Sequence, residues 1–193
     1  MPALKSLFVS TGVVALAEIG DKTQLLAFIL AARFKKPVPI VAGILAATIL
    51  NHALAGAAGA WVAAALGPDI LRWVLGGSFL AMAVWTLIPD EIEEDETKVA
   101  ARLGVFGATF VTFFLAEMGD KTQIATVALA SHYADAVPVV VGTTLGMLVA
   151  DVPAVFAGDR LASRIPMKLA HGVAAAIFAV LGALTLLGFG PAL

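Results

Sequence analysis

Six charge-poor stretches, each long enough to cross the hydrocarbon core of a bilayer, limit what this chain can become more than any other feature. They run Leu7–Ala32, Val38–Leu66, Ile70–Ile88, Leu103–Ala130, Val137–Ala157 and Leu169–Leu187. About 20 apolar residues span about 30 Å of hydrocarbon as a helix. Backbone groups in hydrocarbon must be bonded internally, which leaves only helices and closed barrels. The stretches are rich in Ala, Leu, Val and Gly and lack the period-two alternation of barrel strands. The reading is an all-α polytopic membrane protein with six transmembrane helices. The first, second and fourth stretches exceed the needed length, which predicts tilt or a break. Only 13% of the 193 residues are charged, roughly half the usual share of a soluble domain. That excludes a disordered chain and a nucleic-acid binder working through a basic face. With no cysteine, disulfide frameworks, zinc fingers, iron–sulfur clusters and thiol catalysis are excluded as well.

The second constraint is a repeat. Glu18-Ile19-Gly20-Asp21-Lys22-Thr23-Gln24 returns 99 residues later as Glu117-Met118-Gly119-Asp120-Lys121-Thr122-Gln123. The same offset superposes Pro39 on Pro138, Gly43 on Gly142, Phe79 on Phe178 and Thr86 on Thr185. The chain therefore divides into a first three-helix repeat (1–88), an acidic linker (89–102) and a second three-helix repeat (103–193), together forming one integral domain. The recurrence also argues against a cleaved signal peptide, which Lys5 and the run to Ala15-Leu16-Ala17 superficially imitate. Three spans per half is an odd number, so the second half enters the membrane from the opposite face. That is an inverted repeat, an arrangement common in secondary transporters with a midplane substrate site. Arg33, Lys35, Lys36, Lys98, Arg102, Arg160, Arg164 and Lys168 fall on one face, against Lys5 and Arg72 on the other. The positive-inside rule then places the linker in the cytoplasm and both termini outside.

Acidic residues in the middle of a membrane helix are costly and usually functional. Here each half carries two, Glu18 with Asp21 and Glu117 with Asp120. A spacing of three puts each pair on one helix face, and pseudo-symmetry brings the pairs together as a candidate metal site. Gly20 and Gly119 are helix-break candidates that would free carbonyls as ligands. Carboxylates and carbonyls are hard ligands suited to calcium, magnesium or manganese. Lys22 and Lys121 balance charge: four carboxylates, two lysines and one divalent cation sum to zero. Protons and a divalent ion compete for such oxygens, the minimum machinery of a cation/proton antiporter. Secondary ligand or coupling candidates are Gln24, Gln123, Thr23, Thr122, Asn51 and Asp151. The bland alternatives are an intrahelical Glu18–Lys22 ion pair and, for Asn51 and Asp151, interhelical hydrogen bonding. His52, the offset partner of Asp151, reads as packing or a pH modulator. The acidic run from Asp90 to Glu96 either gathers cations at the cytoplasmic entrance or is a solvated linker.

On these residues the chain resembles the GDT-type membrane proteins, the calcium:cation antiporter-2 family of the lysine-exporter superfamily. Both copies of the Glu-x-Gly-Asp-[Lys/Arg]-[Ser/Thr] motif match in full, as Glu18–Thr23 and Glu117–Thr122, and the resemblance covers essentially the whole chain. It implies a transporter rather than an enzyme, exporting Mn2+ or Ca2+ from the cytosol in exchange for protons. It also implies that Glu18, Asp21, Glu117 and Asp120 bind the ion. No resident cofactor is expected; the partners are the divalent ion, protons and the lipid bilayer, with no nucleic acid. The short N-terminus is similar to the compact bacterial members of the inner membrane, where manganese export is the expected task. The rival readings are an exporter of another cationic solute, such as a basic amino acid, and an intramembrane carboxylate enzyme. Few aromatic residues and no His-Glu-x-x-His motif count against them.

Overall fold

The computed structural model describes residues 2–88, 103–133, 135–157 and 167–188. The acidic linker and the basic residues Lys98, Arg102, Arg160 and Arg164 lie outside the described residues. The chain forms α1 (Pro2–Glu18), α2 (Lys22–Phe34), α3 (Pro37–Ala65), α4 (Pro68–Trp85), α5 (Gly104–Ala116), α6 (Lys121–Tyr133), α7 (Ala136–Ala157) and α8 (Met167–Leu186). Among the described residues there is no strand.

Local chemistry explains most of the boundaries. Lys35 takes a left-handed φ of 53°, and its N–H bonds to the Ala31 carbonyl at 2.9 Å, which closes α2. Pro37 then opens α3, and Pro68 opens α4, at positions where the missing N–H is not needed. The first and fourth apolar stretches are both broken, each at the glycine of its motif. Gly20 has φ 84° and Gly119 φ 79°, a region that L side chains rarely enter. As one span, α1 and α2 are bent by 69°. By length and hydropathy, α3 and α7 are each able to cross a membrane, and the bent α1–α2 pair brings the number to three if it counts as one span.

Packing exchanges partners between the halves. Helix α1 lies against α7 and α5 against α3; α2 meets α7 and α6 meets α3; α4 pairs with α8. At one pair of glycine crossings the contacts obey the 99-residue offset. A Cβ on Gly43 would sit 2.7 Å from Thr109 Cβ and 2.9 Å from the Phe106 carbonyl, while one on Gly142 would sit 3.0 Å from Ser10 Cβ and 2.5 Å from the Leu7 carbonyl. Only glycine admits these two crossings. Phe79 and Phe178, themselves offset partners, stack with ring centroids 6.5 Å apart.

Two apolar cores result, and each draws on both halves. One joins Val13 and Ala17 of α1 and Phe79 of α4 to Leu129 of α6 and Phe178 of α8. The other joins Leu26 of α2 and Ile44 of α3 to Phe113 of α5 and Ala154 of α7. Large apolar side chains such as Phe8, Val38, Trp61 and Trp73 are exposed, while Glu18, Asp21, Glu117 and Lys121 are buried. Apolar outside and charged inside is the order of a protein solvated by lipid.

Candidate metal centre

Each motif is a break between two helices. Helix α1 ends on Glu18, Gly20 turns the chain, and Asp21 caps α2 with extended backbone (φ −75°, ψ 166°). The Asp21 N–H donates to the Glu18 carbonyl at 3.0 Å, and Asp120 N–H to the Glu117 carbonyl at 3.1 Å. The expectation that Glu and Asp share one face of a continuous helix is therefore corrected. They meet across a left-handed turn, where the N-terminal ends of α2 and α6 also favour nearby negative charge.

The polar residues around the turns hold this geometry. Gln24 Oε1 accepts from the Gly20 N–H at 2.9 Å, and Gln123 Oε1 from the Gly119 N–H at 2.7 Å. Gln24 Nε2 donates across the halves to the Ala150 carbonyl at 3.0 Å, and Gln123 Nε2 to Asn51 Oδ1. Both glutamines thus brace a turn against the opposite half, where the sequence suggested extra ligands. Thr23 Oγ1 donates to Glu18 Oε2 at 2.7 Å, and Thr122 Oγ1 to Glu117 Oε2 at 2.7 Å. Each threonine fixes one oxygen of its glutamate and leaves the other. Glu18 Oε1 and Glu117 Oε1 are buried without a hydrogen-bond partner.

One carboxylate oxygen from each of Glu18, Asp21, Glu117 and Asp120 lies within 4.8 Å of the other three. Opposed ligands of a hard cation stand about two metal–oxygen bonds apart, with bonds of about 2.3–2.6 Å for calcium. The cluster therefore has the span of a single-ion cage. Exposure is at most 4% for all four acids. The lysines cross over: Lys121 Nζ pairs with Asp21, both side chains fully buried, and Lys22 Nζ lies 3.8 Å from Asp120. The intrahelical Glu18–Lys22 pair is not formed, because the break redirects each lysine to the opposite half.

Two further polar residues stand beside the cluster. Asn51 accepts from Gln123 and donates to the Phe114 carbonyl at 3.4 Å, so it serves as a brace between helices. Asp151 is fully buried with neither oxygen hydrogen-bonded, within electrostatic reach of Glu18 and Glu117. His52, its offset partner, is equally buried with both ring nitrogens unpartnered. The Ala150 and Phe114 carbonyls were not foreseen, since a backbone acceptor has no signature in side-chain identity.

The family model for the divalent cation/proton antiporter GDT1 matches residues 6–94 and 105–190, which hold both motif copies. The chain belongs to the GDT1 family. It is 53% identical over 180 residues to the "Putative manganese exporter" of Vibrio cholerae serotype O1, covering 93% of this chain and 89% of that protein. It is 32% identical over 212 residues to GDT1-like protein 4 of Oryza sativa subsp. indica, covering 94% and 70%. A GDT1-like protein of Synechocystis is 31% identical over 193 residues, covering 86% and 91%. No solved structure is detectably similar. The GDT1 assignment makes the chain a membrane protein and a cation transporter rather than an enzyme.

Proposed function

We propose that this GDT1 protein exports Mn2+ from the cytoplasm in exchange for protons, using Glu18, Asp21, Glu117 and Asp120 as the ion's ligands. The carrying observation is the convergence of both motif copies into one buried four-carboxylate cluster with two unpartnered glutamate oxygens. Four carboxylates and two lysines leave two negative charges, which one divalent ion or two protons neutralise. Cytoplasmic metal displaces protons from the oxygens, and outside protons displace the metal after the access side changes. Lys22 and Lys121 hold the aspartates when the metal is gone. Asp151 is a coupling candidate or a further ligand, because its oxygens are spent on nothing else. The name of the Vibrio relative favours manganese over calcium.

The architecture that goes with this reading has six spans in two inverted halves in the inner membrane, the linker cytoplasmic and both termini outside. Exchanged packing at a constant offset supports it. In that arrangement α1–α2 and α5–α6 are the broken helices at the midplane, with Gly20 and Gly119 as their hinges.

The test is reconstitution in liposomes with an imposed pH gradient, following Mn2+ and Ca2+ flux. Wild type transports Mn2+ down the coupled gradient, and Glu18→Gln and Asp120→Asn do not. Flux that is absent from wild type, or unchanged in both variants, overturns the reading.

A further inference from the structure

A cavity of about 420 Å³ lies where the ends of α3, α4, α6 and α8 come together, lined by Ala63, Asp69, Leu71, Arg72, Leu75 and His132 among others. It is separate from the carboxylate cluster. Helix α6 leads from Lys121 beside the cluster to His132 at the cavity, roughly 17 Å of helix at about 1.5 Å per residue.

The cavity is lined by buried polar atoms that make no hydrogen bond within the protein. Arg72 Nε is buried without a hydrogen-bond partner, and the guanidinium rests over the Trp73 ring at 5.8 Å. His132 is 7% exposed, and its Nε2 is likewise buried and unpartnered. A buried guanidinium N–H without an acceptor, on a half-buried arginine, favours an anion in the cavity. Asp69 lines the same cavity one turn earlier on α4, and it forms no ion pair with Arg72 among the described residues. One side chain of each sign, facing one space and unpaired with each other, suits a ligand that is itself a zwitterion.

The walls say which kind. Ala63, Leu71 and Leu75 present apolar surface, and exposed Ile70, Trp73 and Leu187 are the chain neighbours of the lining residues Asp69, Arg72 and Gly188. An exposed tryptophan beside an arginine at a helix end is the pattern of a membrane–water interface. We propose that this cavity binds a zwitterionic aminophospholipid, its phosphate on Arg72 and His132 and its ammonium on Asp69, with the glycerol and first methylenes against the apolar wall. A divalent cation is repelled by Arg72, and inorganic phosphate alone is repelled by Asp69.

The experiment uses the full chain in detergent, with lipid binding followed by native mass spectrometry and by thermal unfolding. Phosphatidylethanolamine binds about tenfold tighter than phosphatidylglycerol, the effect of one charge-assisted hydrogen bond. Arg72→Gln weakens phosphatidylethanolamine binding about tenfold, Arg72→Lys restores part of it, and Asp69→Asn removes the preference over phosphatidylglycerol. Ala63→Phe fills the cavity, keeps both charges and abolishes binding. The lipid-free unfolding midpoint of each variant controls for folding. Wild-type binding by both Arg72→Gln and Ala63→Phe overturns the site, and so does a preference for phosphatidylglycerol. Displacement of the lipid by equimolar glycerophosphoethanolamine, the soluble headgroup, overturns the lipid as occupant.

Discussion

The two copies of the motif agree in their turns and differ in their surroundings. In both, a left-handed glycine separates Glu from Asp, a glutamine braces the turn, and a threonine holds one glutamate oxygen at 2.7 Å. The supports then diverge. Gln123 reaches a side chain, Asn51, whereas Gln24 reaches a backbone carbonyl at the equivalent position, Ala150. Helix α3 carries His52 where α7 carries Asp151, and α7 alone has a proline in its interior, Pro153, where α3 has Leu54. Lys121 is fully buried on Asp21, while the Lys22 side chain keeps 19% of its exposure beside Asp120. The second turn, Met118–Gly119, is exposed, and the first, Ile19–Gly20, is half-buried. The shared parts orient oxygens, and the unshared parts set burial and uncompensated charge. Two half-sites with the same acids thus sit in unequal environments.

The comparison breaks first at the glutamates. Glu18→Gln and Glu117→Gln are expected to lower Mn2+ affinity equally, each by at least about a hundredfold, the upper end of the loss from a merely supporting residue. Isothermal titration measures this; a hundredfold gap between the two variants ends the equivalence. Next come the lysines. Lys121→Gln removes a fully buried cation from beside a buried aspartate and should cost about 3 kcal/mol or more, and Lys22→Gln, at a partly exposed 3.8 Å pair, about 1 kcal/mol or less. Thermal unfolding in detergent reads both, and equal losses would remove the burial argument.

Smaller effects sharpen the comparison. Thr23→Val and Thr122→Val free the second glutamate oxygen and should each weaken Mn2+ binding about tenfold, with stability little changed. Asn51→Ala removes a brace that the first half supplies and the second does not. Its cost is about 0.6 kcal/mol, the average for a hydrogen bond between membrane helices. Asp151→Asn should leave the unfolding midpoint unchanged or raise it, because it replaces a buried carboxyl group that no hydrogen bond compensates. A clear fall in that midpoint would reveal a partner for Asp151 and return it to a structural role.

Much of this was legible in the residues. The apolar stretches, their turn signals and the doubled motif predict helices that begin and end close to where they do, because in hydrocarbon the backbone has no alternative partner. The four acids and the helix-breaking glycines were legible for a related reason: charge within a span and glycine beside it are rare and costly. The roles of Gln24 and Gln123 and the pairing of Lys22 and Lys121 were not. Spacing along one helix assumes that the helix continues, and a single glycine at φ near 80° turns every following side chain elsewhere.

The sequence by itself determined that this chain is a membrane-embedded helical repeat with four carboxylates in its interior. Composition and periodicity suffice for that, since burial of charge is read from position alone. Only the tertiary structure decided that each lysine serves the opposite half and that the glutamines are braces. It alone left Glu18 Oε1, Glu117 Oε1 and Asp151 without hydrogen bonds, and it alone brought Asp69, Arg72 and His132 to one cavity. Those outcomes depend on which helices cross and how closely. Gly43 and Gly142 set that closeness, and the atoms they admit lie 66 and 135 residues away in sequence, at Thr109 and Leu7.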